Sequence, residues 1–158
     1  MTFRAALISS LSLLFACAAP EAPMKTPKID AQGLTVELSP PTAFVVGQPM
    51  RIEMTVSNPT QRTLTFCRYH TPFEGLQNDI FSVSASISDV PYQGMMKKRA
   101  PPGPEDFIEV PPGESRSATV DLAEGYTIPE GGFALSYRGT DISGLPHAGP
   151  VGISVRAP

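Results

Sequence analysis

Tryptophan is absent from the 158 residues, and cysteine occurs only twice. Two cysteines cannot staple a small scaffold, so the fold has to be held by a packed core. A basic excess is missing as well: 12 Lys and Arg stand against 15 Asp and Glu, a net charge of −3. Nucleic-acid binders need clustered cations to displace counterions, so that class is excluded as a partner. No apolar run reaches the roughly 20 residues of a spanning helix. Only two histidines occur, His70 and His147, far apart in the chain. A zinc peptidase helix needs two histidines one turn apart, so the chain is expected to hold no catalytic metal. Gly-x-Ser-x-Gly elbows, Walker loops and dinucleotide fingerprints are missing too, and the expectation is a non-enzyme with no cofactor.

What is abundant is turn chemistry and alternation. The chain has 18 Pro and 13 Gly, about a fifth of its length. From Gly33 onward the apolar period is two. Leu34, Val36 and Leu38 alternate with polar residues, as do Ile52, Met54 and Val56, and Leu64 and Phe66. Phe81, Val83, Ala85 and Ile87 alternate with serines; Val120 and Leu122 flank Asp121. Phe133, Leu135 and Tyr137, and then Val151, Ile153 and Val155, complete the series. Strict alternation marks strands with one face buried and the other wet. Ser39-Pro40-Pro41, Gly47-Gln48-Pro49, Ser57-Asn58-Pro59, Pro111-Pro112-Gly113 and Pro129-Glu130-Gly131-Gly132 break these runs. The expectation is an all-β, immunoglobulin-like antiparallel sandwich of seven or eight strands over residues 33–158. Two long connections, Arg68–Asp79 and Val90–Glu105, are where binding function is expected.

The first residues, Met1-Thr2-Phe3-Arg4, lead into an apolar stretch that ends Leu14-Phe15-Ala16-Cys17. A positive start before a short apolar segment has the layout of a secretory signal over residues 1–16. Its end resembles a bacterial lipobox, which implies a diacylated Cys17, membrane attachment through that lipid alone, and a place in the cell envelope at the outer membrane. Cleavage after the A-x-A-like Ala16-Cys17-Ala18, giving a secreted or periplasmic protein, is the alternative. Residues 17–32, with Pro20, Pro23 and Pro27, read as a flexible tether. Cys67, between Phe66 and Arg68, is then without a partner and reads as a small buried hydrophobe rather than a catalytic thiol.

Several motifs keep their order and spacing between Gly33 and Tyr137. They are Thr71-Pro72-Phe73-Glu74-Gly75-Leu76, Asp79-Ile80-Phe81-Ser82-Val83, Val90-Pro91-Tyr92-Gln93-Gly94 and Lys98-Arg99-Ala100-Pro101, followed by Gly113-Glu114-Ser115, Ala118-Thr119-Val120-Asp121-Leu122 and Tyr126. Together they resemble the N-terminal prodomain of deuterolysin-type (aspzincin, peptidyl-Lys) zinc metallopeptidases. In that family a zinc domain with a His-Glu-x-x-His helix follows; here Gly139-Thr140-Asp141 only echoes its second motif. The expectation is a free-standing prodomain. The resemblance implies a non-catalytic lipoprotein that binds and inhibits a secreted or periplasmic zinc metallopeptidase. Its candidate contact residues are Thr71, Pro72, Phe73, Glu74, Gly75, Leu76, Tyr92, Lys98 and Arg99. On this reading Phe73 and Leu76 are apolar anchors and Glu74 points a carboxylate at a zinc or a basic pocket. The competing reading of the same loop is a sandwich crossover whose Phe73 and Leu76 cap the core. The competing function is a structural or interaction lipoprotein with no peptidase partner.

Overall fold

The computed structural model describes residues 27–85 and 88–158. The signal, Cys17, most of the tether and Ile87 lie outside the described residues. The described chain is all-β, with nine strands and three short 3-10 turns. β1 (Thr35–Ser39), β3 (Arg51–Ser57) and β7 (Ser115–Asp121) form a three-stranded antiparallel sheet with β3 in the middle. β2 (Phe44–Val45), β9 (Ala148–Arg156), β8 (Gly131–Tyr137) and β5 (Phe81–Ser84) form a four-stranded sheet in that order. β4 (Leu64–Cys67) and β6 (Phe107–Val110) make a separate antiparallel pair.

The alternating runs become these strands because alternation puts one side chain in two on the shared core. On β3, Ile52, Met54 and Val56 are buried while Arg51 and Glu53 are exposed. Opposite them in the other main sheet, Phe81, Val83, Leu135, Tyr137, Ile153 and Val155 are buried in the same cluster. The outward face of the three-stranded sheet is tied by hydroxyl pairs across the strands, Thr55 with Ser117 and Ser57 with Ser115, both at 2.8 Å.

Two strands have no alternating signature. β2 is only two residues long and runs parallel to β9, so the four-stranded sheet is mixed. β6 reads Phe-Ile-Glu-Val, with Phe107 and Ile108 both half-buried. β7 begins earlier than the Val120-Asp121-Leu122 run suggests, and Leu122 opens a 3-10 turn. Asp121 makes that switch by accepting from the N–H of Ala123 at 3.0 Å and of Met50 at 2.7 Å. The folded body also reaches back beyond Gly33 into the expected tether. Asp30 exchanges both backbone hydrogen bonds with Thr65 at 2.9 and 3.0 Å, and Ala31 is buried.

Candidate binding surface

The β4–β5 connection is built around a turn, not an open loop. Thr71 caps the 3-10 turn Pro72–Glu74: its hydroxyl accepts from Phe73 N–H at 3.2 Å and donates to the Arg68 carbonyl at 2.6 Å. Pro72 fits the first position of such a turn, where no N–H is needed. Gly75 follows at φ +78°, a backbone conformation that costs a side-chain-bearing residue strain. Phe73 packs edge-on against Phe66 with ring centres 5.1 Å apart, and Leu76 is 3% exposed in the core.

Glu74 is used inside the fold. Its side chain is 3% exposed; Oε1 accepts from His70 N–H at 2.9 Å, and Oε2 pairs with the Arg99 guanidinium. His70 itself sits at φ +58°, uncommon for a residue with a side chain. Glu74 holds its N–H, and the Tyr137 hydroxyl donates to its carbonyl at 3.0 Å. Burial pushes the Tyr137 phenol up to about 12.

These positions bear on the two readings of the Thr71–Leu76 loop, presented contact surface or core-capping crossover. Thr71, Pro72 and Leu76 are buried, while Phe73, Glu74 and Gly75 are half-buried. The physical reason is that the turn satisfies its own polar groups and spends both apolar side chains on the core. The crossover reading fits these positions.

The second long connection folds over the first. The Tyr92 hydroxyl lies 2.7 Å from the Met95 carbonyl and 3.3 Å from that of Leu76. Its ring stacks edge-on with Tyr126 at 5.2 Å. The approach depends on Gly125, where a Cβ would come within 2.3 Å of the Tyr92 ring. Lys97 N–H donates to the Gln77 carbonyl at 3.0 Å, and Arg99 closes the span on Glu74. The result is an arch, Met95–Arg99, tied at both ends. At its crown Met95 and Met96 are 64% and 68% exposed, more than any other large apolar side chain described. Lys98 is exposed, and Tyr92 and Arg99 are half-buried.

Beneath the arch a clasp joins β4 to the turn before β6. Asp106, 3% exposed, accepts from Arg68 Nε at 2.9 Å, Tyr69 Oη at 2.7 Å and Gly103 N–H at 2.9 Å. The Tyr69 hydrogen bond is the chief cause that holds the Asp106 carboxyl below the usual range, and the same bond pushes the Tyr69 phenol up. The Arg99 guanidinium lies over the Tyr69 ring, 5.1 Å from its centre. Between arch and clasp runs a groove of about 590 Å³, lined by Tyr69, His70, Asn78, Ile142 and the Lys97–Pro102 run.

Sequence reasoning named Lys98, Arg99 and Tyr92 on this surface but missed Asp106, Asn78 and Ile142. No local pattern marks them: Asn78 lies inside the first long connection but is buried, while Asp106 and Ile142 come from further along the chain. Cys67 is fully buried and burial pushes its thiol up, as suits a core residue. Among the described residues no group of three or more His, Cys, Asp or Glu is placed to hold a metal, and no helix is long and apolar enough to cross a membrane. No protein-family model and no curated protein matches the chain.

Proposed function

We propose that this chain is a non-catalytic envelope lipoprotein that binds and inhibits a zinc metallopeptidase in the manner of a prodomain, with the Met95–Arg99 arch as its docking surface. The carrying observation is the exposed Met95–Met96 pair on a tied segment. Methionine adapts to irregular apolar surfaces, and a segment already ordered in the free protein loses little entropy on binding. The resemblance of Val90–Gly94 and Lys98–Pro101 to a peptidase prodomain supplies the class of partner. The lipobox-like Leu14–Cys17 supplies the anchor. An immunoglobulin-like arrangement belongs to the same proposal, supported by the pairing of a three-stranded with a four-stranded sheet.

One observation favours a second reading, an interaction lipoprotein with no peptidase partner. Glu74, the carboxylate best suited to approach a zinc, is already paired with Arg99. The two readings separate in one assay: full-length chain in detergent micelles, added to an aspzincin peptidase with a peptide substrate. Saturable slowing of cleavage supports the inhibitor. Unchanged cleavage, with no co-elution of the two proteins, rejects it.

A further inference from the structure

We infer that the groove between the Met95–Arg99 arch and the Arg68–Asp106 clasp is a docking site for an acidic, extended peptide segment of a partner protein. The inference goes beyond the peptidase reading, since any partner bearing such a segment would fit.

Charge is the first argument. The chain is net negative, yet no Asp or Glu lines this groove. Lys97 and Lys98 line it, are exposed, and form no ion pair among the described residues. The charged side chains that line the groove are therefore opposite in sign to the net charge of the molecule, and the two unpaired lysines attract carboxylates.

Hydrogen-bonding capacity is the second. Among the described residues two buried side-chain nitrogens lack an acceptor, Asn78 Nδ2 and Arg99 Nε. Both residues line this groove, and Asn78 is only 5% exposed. Both nitrogens are closed to solvent, and buried donors are nearly always satisfied in folded proteins. An occupant that brings acceptors would therefore meet them once the Asn78 or Arg99 side chain turns toward the groove. An acidic peptide brings both carboxylates and backbone carbonyls. The Tyr69 hydroxyl is not free for this role, because it already donates to Asp106.

Shape is the third. The walls are apolar: the Tyr69 ring, Ala100, Pro101, Pro102 and Ile142, which is 48% exposed. Pro101 and Pro102 offer no N–H, so side chains of the guest rather than its backbone ladder would be held there. Apolar walls with a few convergent polar groups, at this volume, are usual for a ligand site. Two free lysines are too few for nucleic acid, whose binders line up many cations along phosphates.

The test is fluorescence polarisation on the full-length chain in non-ionic detergent. The probe is a fluorescein-labelled hexapeptide, Asp-Glu-Leu-Asp-Phe-Glu. The control is the same peptide with Lys at each acidic position. The acidic probe is expected to bind at least about tenfold tighter than the basic one and to weaken with salt. Lys97→Ala with Lys98→Ala should cost about tenfold and flatten the salt dependence. Ile142→Ser should weaken binding several-fold while leaving the salt dependence intact, which separates a groove from a loose cationic patch. All three residues are exposed, so these variants should melt like the parent. Equal binding of the two peptides, or no binding at about 1 mM, would overturn the inference. So would loss-free lysine variants, or displacement by inorganic phosphate as effective as by unlabelled peptide. None of these readouts uses a peptidase, so the inference can stand or fall separately from the inhibitor proposal.

Discussion

Replacing Glu74 by alanine should destabilise the protein strongly. The carboxylate has two internal partners, His70 N–H and the Arg99 guanidinium, and its side chain is 3% exposed. Removing one member of a buried pair typically costs about 3–5 kcal/mol, because the other charge stays buried and unpaired. Arg99 is 21% exposed, so water relieves part of that loss. Its Nε already lacks an acceptor, which leaves the guanidinium poorly satisfied once Glu74 is gone. His70 N–H also loses its acceptor, at a residue held at positive φ. The balance is about 3 kcal/mol. For a domain of this size that corresponds to a fall of about 10 °C in melting temperature. Glu74→Gln, which keeps the volume and one acceptor, should fall by roughly half as much. The assay is thermal melting of the full-length chain followed by far-ultraviolet circular dichroism. If Glu74→Ala melts within about 1 °C of the parent, the carboxylate is not part of the internal framework and is free for a partner.

Two further outcomes are expected. Asp106 has a depressed carboxyl pKa, so its contribution is fully present above the ordinary unfolded value near 3.9 and is lost as pH falls through the lower folded value. The gap in melting temperature between the parent and Asp106→Asn should therefore be constant from neutral pH to about 4 and shrink below it; a gap undiminished at about pH 2 would contradict the clasp. At the other end of the chain, Cys17→Ser should remove the lipid-bearing thiol suggested by Leu14–Cys17, leaving soluble or unprocessed protein. Membrane fractionation identical to the parent's would rule out the anchor.

The sheets were legible wherever one face is apolar. Ile52, Met54 and Val56 declare β3, and Phe133, Leu135 and Tyr137 declare β8. The start of β7 was hidden because the inward positions before Val120 are Arg116, which is charged, and Ala118, whose single methyl is a weak apolar signal. β2 was hidden because a two-residue parallel pairing leaves no period to read. The site was legible in composition and not in geometry. Thr71–Leu76 and Val90–Pro101 stand out as separate motifs, yet nothing local says that Glu74 meets Arg99 or that Tyr92 reaches the Leu76 carbonyl. Those contacts join residues 25 and 16 positions apart. The exposure of the Thr71 turn stayed open between two readings for the same reason. Phe73 and Leu76 look equally apt as anchors or as core, and only packing against Phe66 and Gly125 decides.

The most direct measurement of the proposed docking surface compares inhibition of an aspzincin peptidase by the parent and by Met95→Ser with Met96→Ser. Both methionines are exposed and make no core contact that a serine would cost, so the melting temperature should not change. Truncating an interface anchor costs about 2 kcal/mol or more, so the inhibition constant should rise at least about thirtyfold. An inhibition constant equal to the parent's, from a variant that folds normally, would show that the arch is not the surface that meets the enzyme.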